Sequence, residues 1–188
     1  MVICREAASP RAGPAQVMDW LDQVMDPEVP VVSIVGLGIV RDVLWIDAGS
    51  GKEDARLCVI VTPTYSGCPA TEVIAAAIRE QLAAHGVGRV EVQTRLSPAW
   101  TTDWMSTAAR EALRGYGIAP PVESAPGADG AQPIDIGALL RPARQAVVPC
   151  PLCASRHTRL LSQFGSTACK ALYQCNSCLE PFDYFKPH

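Results

Sequence analysis

No stretch of this sequence approaches the roughly 20 consecutive apolar residues that a bilayer-crossing helix needs, so none is expected. The opening MVICREAASPRAG carries an acid early and has no long apolar segment, which argues against a secretory leader and for the cytoplasm. No internal repeat is present, so solenoids and arrays are excluded. There is no Glu-x-x-His pair of the kind that builds a di-iron centre in a helical bundle. The glycines of GLGIVR tempt one toward a dinucleotide loop, but Arg41 stands where the third glycine belongs and no helix follows. Histidines number three, and none is placed by the sequence as a general base beside a cysteine. Oxygen activation and thiol catalysis by this chain alone are therefore not expected.

What is present is enough for a real core. The chain has 188 residues, of which 48% are hydrophobic, with a mean hydropathy of +0.13. That length suits one ordinary domain plus a smaller module. Charge divides the same way. From Arg141 onward six basic residues face two acidic ones, whereas the rest of the chain is strongly acidic. Two regions of opposite sign can attract each other or recognise different partners.

Apolar residues at helical spacing (Val17, Trp20, Leu21, Val24) predict a helix from Pro14 to Met25, ended by Asp26-Pro27. DPEVPVVSIVGLG then reads as an ordered loop. Val40–Asp47 and Arg56–Thr62 read as two strands joined by AGSGKED, and Pro69–His85 as a helix stopped by Gly86. Arg89–Leu96 alternates as a third strand, and a last helix runs from Asp103 to Arg114. A helix between the second and third strands is a crossover, so the expected fold is α/β: a small mixed sheet of three strands, or four, packed with helices. Residues 1–118 form that domain. Residues 119–146 are a proline- and glycine-rich linker with one short turn at Ile136–Leu140, and residues 147–188 are a β module.

Eight cysteines in a chain without secretory features point to metal or redox chemistry rather than disulfides. Cys68 stands out in TPTYSGCPAT, between a strand and a helix. With Pro69 at the first helical position, Cys68 is expected to be the N-cap, where backbone N–H groups and the helix dipole favour thiolate. Glu72 opposes this modestly. The plainer alternative is a small residue filling space beside the strand. Cys58 reads as core and Cys4 as incidental.

Cys150-Pro-Leu-Cys153 and Cys175-Asn-Ser-Cys178, with 21 residues between the pairs, supply four thiolates, the ligand set of a structural zinc ribbon. A rubredoxin-like iron or a cluster is the competing occupant. So small a module builds little core, so the metal is expected to supply its folding energy, and chelation to unfold the tail alone. Cys169 lies outside both pairs in GSTACK, which reads as an exposed turn, with Lys170 favouring thiolate. It is either a second functional thiol or a tolerated one. The tail is basic and contains Tyr173, Phe182, Tyr184 and Phe185, so a nucleic-acid-binding ribbon is the second class of function. Those aromatics are also needed for the ribbon's own packing, which makes nucleic acid the weaker reading.

Three segments, MDPEVPVVSIVGLGIVRDV, VTPTYSGCPATEV and LSPAWTTDWMS, resemble the signatures of the iron–sulfur assembly domain family that includes the SufT proteins, over about residues 14 to 118. The tail, with FGSTACKALYQC, resembles the one that distinguishes the PaaD family of D subunits associated with bacterial phenylacetyl-CoA epoxidase. This resemblance implies a role in metal-centre maturation in aerobic phenylacetate degradation, not catalysis. The implied partners are the epoxidase subunits, foremost the reductase bearing flavin and an iron–sulfur cluster. The family's reactive cysteine falls on Cys68 and its acidic loop on Asp26 and Glu28. Those carboxylates are hard ligands for iron or a docking contact; otherwise Asp26 ends a helix and Glu28 is solvated. One accessible thiol cannot complete a four-cysteine cluster site. Either two chains share a cluster in a homodimer, or Cys68 holds iron or persulfide in transit.

Overall fold

The computed structural model of the chain describes residues 11–46, 55–122 and 147–187. Cys4, the turn 48–54, the turn expected at 136–140 and His188 lie outside the described residues, as does most of the stretch 119–146. Helix α1 spans Pro14–Leu21, with proline in the first turn where its missing N–H costs nothing. It stops four residues short of the expected Met25. The N–H groups of Gln23 and Val24 turn back to the carbonyls of Trp20 (3.3 Å) and Leu21 (3.0 Å), tightening the chain out of the helix. Val24 is buried nonetheless, so the apolar periodicity outruns the helix.

The loop that follows is ordered, as its prolines and glycines imply. Asp26 N–H donates to Val32 O (2.9 Å) and Ile34 N–H to Val24 O (2.9 Å), while Val29, Val32, Ile34 and Leu37 point into the core. β1 (Val40–Ile46) then runs antiparallel to β2 (Arg56–Val61), and β2 runs parallel to β3 (Val90–Thr94) through the crossover helix α2 (Thr71–Ala84). The sheet order is β1-β2-β3, the expected mixed sheet with three strands. Cross-strand partners Val43, Val59 and Val92 share one face and pack with Ile74, Ile78 and Leu82 of α2 and Val17 and Leu21 of α1. The expected last helix is split: a 3₁₀ turn at Thr102–Trp104 precedes α3 (Thr107–Gly115). Met105 and Ser106 between them are extended, and Ser106 Oγ caps α3 by accepting from Ala109 N–H (3.1 Å).

The C-terminal module is an antiparallel meander of β4 (Thr158–Ser162), β5 (Lys170–Cys175) and β6 (Pro181–Phe185). HTRLLSQF and KALYQC read as strands in the sequence and match β4 and β5, whereas β6 carries no such signal there. Tyr173 packs on Phe182 and Tyr184, with ring centroids 5.9 and 5.4 Å apart. The two modules meet along β6. Ala119, directly after the first module, donates to Asp183 O (2.8 Å) and accepts from Phe185 N–H (2.9 Å). Phe185 is 1% exposed and belongs to the core of the first module, its ring 6.0 Å from Trp100.

Gly38 shows why the GLG turn is glycine-bearing without any nucleotide. Its φ is +72°, and a Cβ there would lie 2.6 Å from Trp104 O. Arg41, which defeats the dinucleotide fingerprint, instead sits 3.4 Å over the Trp104 ring. Gly38→Ala combines left-handed strain with a backbone clash and is expected to destabilise the protein by about 3 kcal/mol. Urea unfolding of the variant measures this, and an unchanged midpoint would contradict it.

Candidate metal centre and interdomain thiol site

The four ribbon cysteines converge. Their sulfurs all lie within 4.8 Å of one another, with Cys150 Sγ 3.8 Å from Cys178 Sγ and Cys153 Sγ 3.6 Å from Cys175 Sγ. A tetrahedral zinc with Zn–S bonds of about 2.3 Å requires sulfur–sulfur edges of about 3.8 Å. The donor set therefore fits a closed zinc site. The N–H groups of Ser177 and Cys178 point at Cys175 Sγ (3.4 and 3.5 Å). The Cys178 N–H foremost, with that of Ser177, pulls the Cys175 thiol down to about 6, toward the thiolate a metal takes. Ala154 (φ 58°) and Leu179 (φ 68°) each follow the second cysteine of a pair in left-handed conformation. Neither is glycine, so the sequence held no signal for these two turns.

The second cluster forms where the modules meet. Asp26, Glu28, Thr64, Cys68, Cys169 and Phe185 line one cavity of about 10 Å³. Asp26 is 6% exposed, and its Oδ1 accepts from the N–H groups of Glu28 and Val29, both at 2.9 Å. It closes the acidic loop, and the helix ends earlier, at Leu21, so Asp26 is not the helix stop. Burial raises its carboxyl despite those two hydrogen bonds. Glu28 is half-buried, and its Oε2 accepts from Cys169 Sγ at 3.7 Å.

Cys68 is half-buried at the cavity wall but is not the N-cap. That position is Ala70, because Cys68 O accepts from Thr71 N–H (3.3 Å) and Thr71 Oγ1 (2.9 Å), inserting one more turn before α2. The N–H of Ala70 and the hydroxyl of Thr71 still favour the thiolate. Burial outweighs them, aided by Glu28 and Asp26, and the thiol lies above its ordinary range instead of below it. Cys169 departs further from expectation. Its turn is not exposed: the residue is 4% exposed within the first module's core, beside Thr167 Oγ1 at 3.0 Å. Burial pushes its thiol up to about 11. Lys170 pulls the other way, but its buried ammonium pairs with Asp183 (3.5 Å).

The remaining candidates separate from these sites. Cys58 is 1% exposed in β2, as a core residue should be. His85 caps the far end of the 14-residue α2, stacked on Trp20 at 4.3 Å. That places it about 20 Å along the helix from the Cys68 end, too far for a base. The tail aromatics Tyr173, Phe182, Tyr184 and Phe185 are all buried, so their rings are not platforms for stacked bases. Tyr65, in the same PTYSGC turn, is partly buried beside Cys68, and burial raises its phenol. Among the described residues, no helix is long and apolar enough to cross a membrane.

An iron–sulfur assembly domain joined to a zinc ribbon is the class these features define. Residues 14–94 match the family model of an iron–sulfur cluster assembly protein, and residues 139–186 that of the PaaD zinc beta ribbon domain. The Escherichia coli (strain K12) protein named as the D component of a "Putative 1,2-phenylacetyl-CoA epoxidase" is 50% identical over 176 residues, 92% of this chain and 94% of the relative. The chain belongs to that family of epoxidase D components. Solved structures with 30% identity include a domain of unknown function from Bacillus anthracis, covering 53% of this chain and 90% of that one with a TM-score of 0.46. A conserved hypothetical protein from Thermotoga maritima, also 30% identical, covers 55% and 96% with a TM-score of 0.44.

The purified protein is expected to carry one zinc per chain, by elemental analysis; iron without zinc would overturn the assignment. Chelation is expected to do more than unfold the tail, since Cys169 and Phe185 reach into the first module. Removing a metal that contributes on the order of 10 kcal/mol of apparent folding energy should uncover Cys68. Alkylation of Cys68, followed by peptide mass spectrometry, should then accelerate; an unchanged rate would mean that the ribbon does not cover it.

Proposed function

We propose that this chain is a non-catalytic maturation factor that helps assemble the iron–sulfur centre of a ring-epoxidising phenylacetyl-CoA monooxygenase. Cys68 is the transfer thiol, with Asp26, Glu28 and Cys169 as auxiliary groups. The observation that carries this reading is that two thiols and two carboxylates, from opposite ends of the chain, line one cavity between the assembly domain and the ribbon. Membership in the family of epoxidase D components supports the epoxidase as the destination. The recipient in this reading is the reductase subunit that carries the cluster, and the encounter takes place in the cytoplasm.

In this proposal residues 1–118 are the working domain, 119–146 connect, and 147–188 are a structural ribbon held by Cys150, Cys153, Cys175 and Cys178. A thiol raised by its surroundings is poorly nucleophilic at rest, so it does not react indiscriminately. It becomes a ligand when a cation offsets the nearby carboxylates. The tail stays a protein-docking element, and its basic charge suits an acidic partner better than nucleic acid, since its principal aromatics are committed to packing.

Replacing Cys68 by alanine is expected to leave the fold intact, because the side chain is half-buried and small. The reductase co-expressed with Cys68→Ala should be purified with most of its iron and sulfide missing. A full complement of cluster in that reductase would defeat the proposal.

A further inference from the structure

We infer that the interdomain cavity is a binding site for one bare divalent transition-metal ion, taken up between Cys68, Cys169 and Glu28, and not a site for a preformed cluster. The inference rests on the proposed function of the same site and names its cargo. Size is the first argument. A cavity of about 10 Å³ accommodates about one water-sized sphere. An ion fits that space, whereas a cluster with several irons and bridging sulfides does not. Donor chemistry is the second. Two sulfurs and a carboxylate oxygen are a mixed soft and hard set, suited to ferrous ion or zinc and poor for calcium or magnesium.

Charge is the third argument. Glu28 accepts from the Cys169 thiol, and the buried carboxyl of Asp26 lies on the same wall. A sulfur carried as a persulfide anion would be repelled by these carboxylates, while a dication is attracted by them; the opposing Lys170 ammonium is paired with Asp183 (3.5 Å). Asp26 Oδ1 accepts from the N–H groups of Glu28 and Val29, so it holds the loop that presents Glu28. Cys169 is the part contributed by the ribbon. It is anchored by the neighbouring strand, where Lys186 N–H donates to Cys169 O (3.0 Å).

Among the described residues, only the ribbon cysteines already bring three or more such donor atoms within 4.8 Å of one another. Uptake at the second site therefore draws the half-buried Cys68 and Glu28 side chains inward onto Cys169. In that step two sulfur–metal bonds form, two thiol protons pass to solvent, and the Glu28 carboxylate enters already ionised. No electron is transferred.

The test is an anaerobic titration of the full, zinc-loaded chain with ferrous ion, followed by thiolate–metal ultraviolet absorption and by metal analysis after desalting. One iron bound per chain with the ribbon zinc retained is the expected result. Cys68→Ser and Cys169→Ser should each weaken binding by about a hundredfold or more, and Glu28→Gln by about tenfold or more, since loss of even an outer-shell partner costs about 10–100-fold in metal affinity. Zinc retention in each variant reports that the ribbon is still folded, and Glu28→Gln, on a half-exposed loop, keeps the test open if a cysteine variant fails to fold. No added iron, iron gained only as zinc is lost, or undiminished binding in Cys169→Ser would overturn the inference. An iron-free cavity together with loss of reductase cluster in Cys68→Ala would overturn this inference alone and leave the maturation role standing.

Discussion

Phe185 is the last residue of the last strand, yet it is buried in the core of the first module against Trp100. Complete burial of such a ring contributes about 2–3 kcal/mol. The ribbon's position is held as well by Ala119, which is hydrogen-bonded to Asp183 and Phe185 on either side of Tyr184 and cannot shift without breaking that register. Everything at the thiol cavity depends on this seam. Without it Cys169 would face solvent, Glu28 would lose its sulfur neighbour, and Cys68 would be a lone thiol on a turn.

Burial at the seam also inverts the chemistry that a helix N-terminus would supply. The Ala70 N–H and Thr71 hydroxyl near Cys68 do favour thiolate, but taking the sulfur out of water costs more than they return. Cys169 is more extreme, with its thiol pushed up to about 11 beside the Glu28 carboxylate. The result is a pair of quiet thiols. Cys175 stands in contrast: N–H groups converge on it, and it belongs to a set of four sulfurs within 4.8 Å of one another, two of whose contacts, at 3.6 and 3.8 Å, match the edge of a zinc tetrahedron. One chain thus keeps two sulfur environments apart through their hydrogen bonding and solvation.

Much of the assembly domain was legible beforehand. Strands β1 to β3, the crossover α2 and the ordered acidic loop follow from alternation, helical spacing and the placement of proline and glycine. Boundaries were less so. Val24 keeps the helical period while the backbone has already turned out of α1, and Ser106 starts α3 after a turn that periodicity ran straight through. β6 was missed as a strand, although its aromatics were recognised as packing residues.

The sequence by itself brought out the ribbon's four candidate metal-binding cysteines, because Cys-x-x-Cys spacing is local: two such turns present four sulfurs wherever the module sits. It also marked Cys68, Asp26, Glu28 and Cys169 one by one as residues of interest. Only the tertiary structure decided that these four share a cavity and that burial raises both thiols. Both facts depend on the docking of one module against the other and on the water it excludes, and no local spacing encodes a contact between residues 28 and 169.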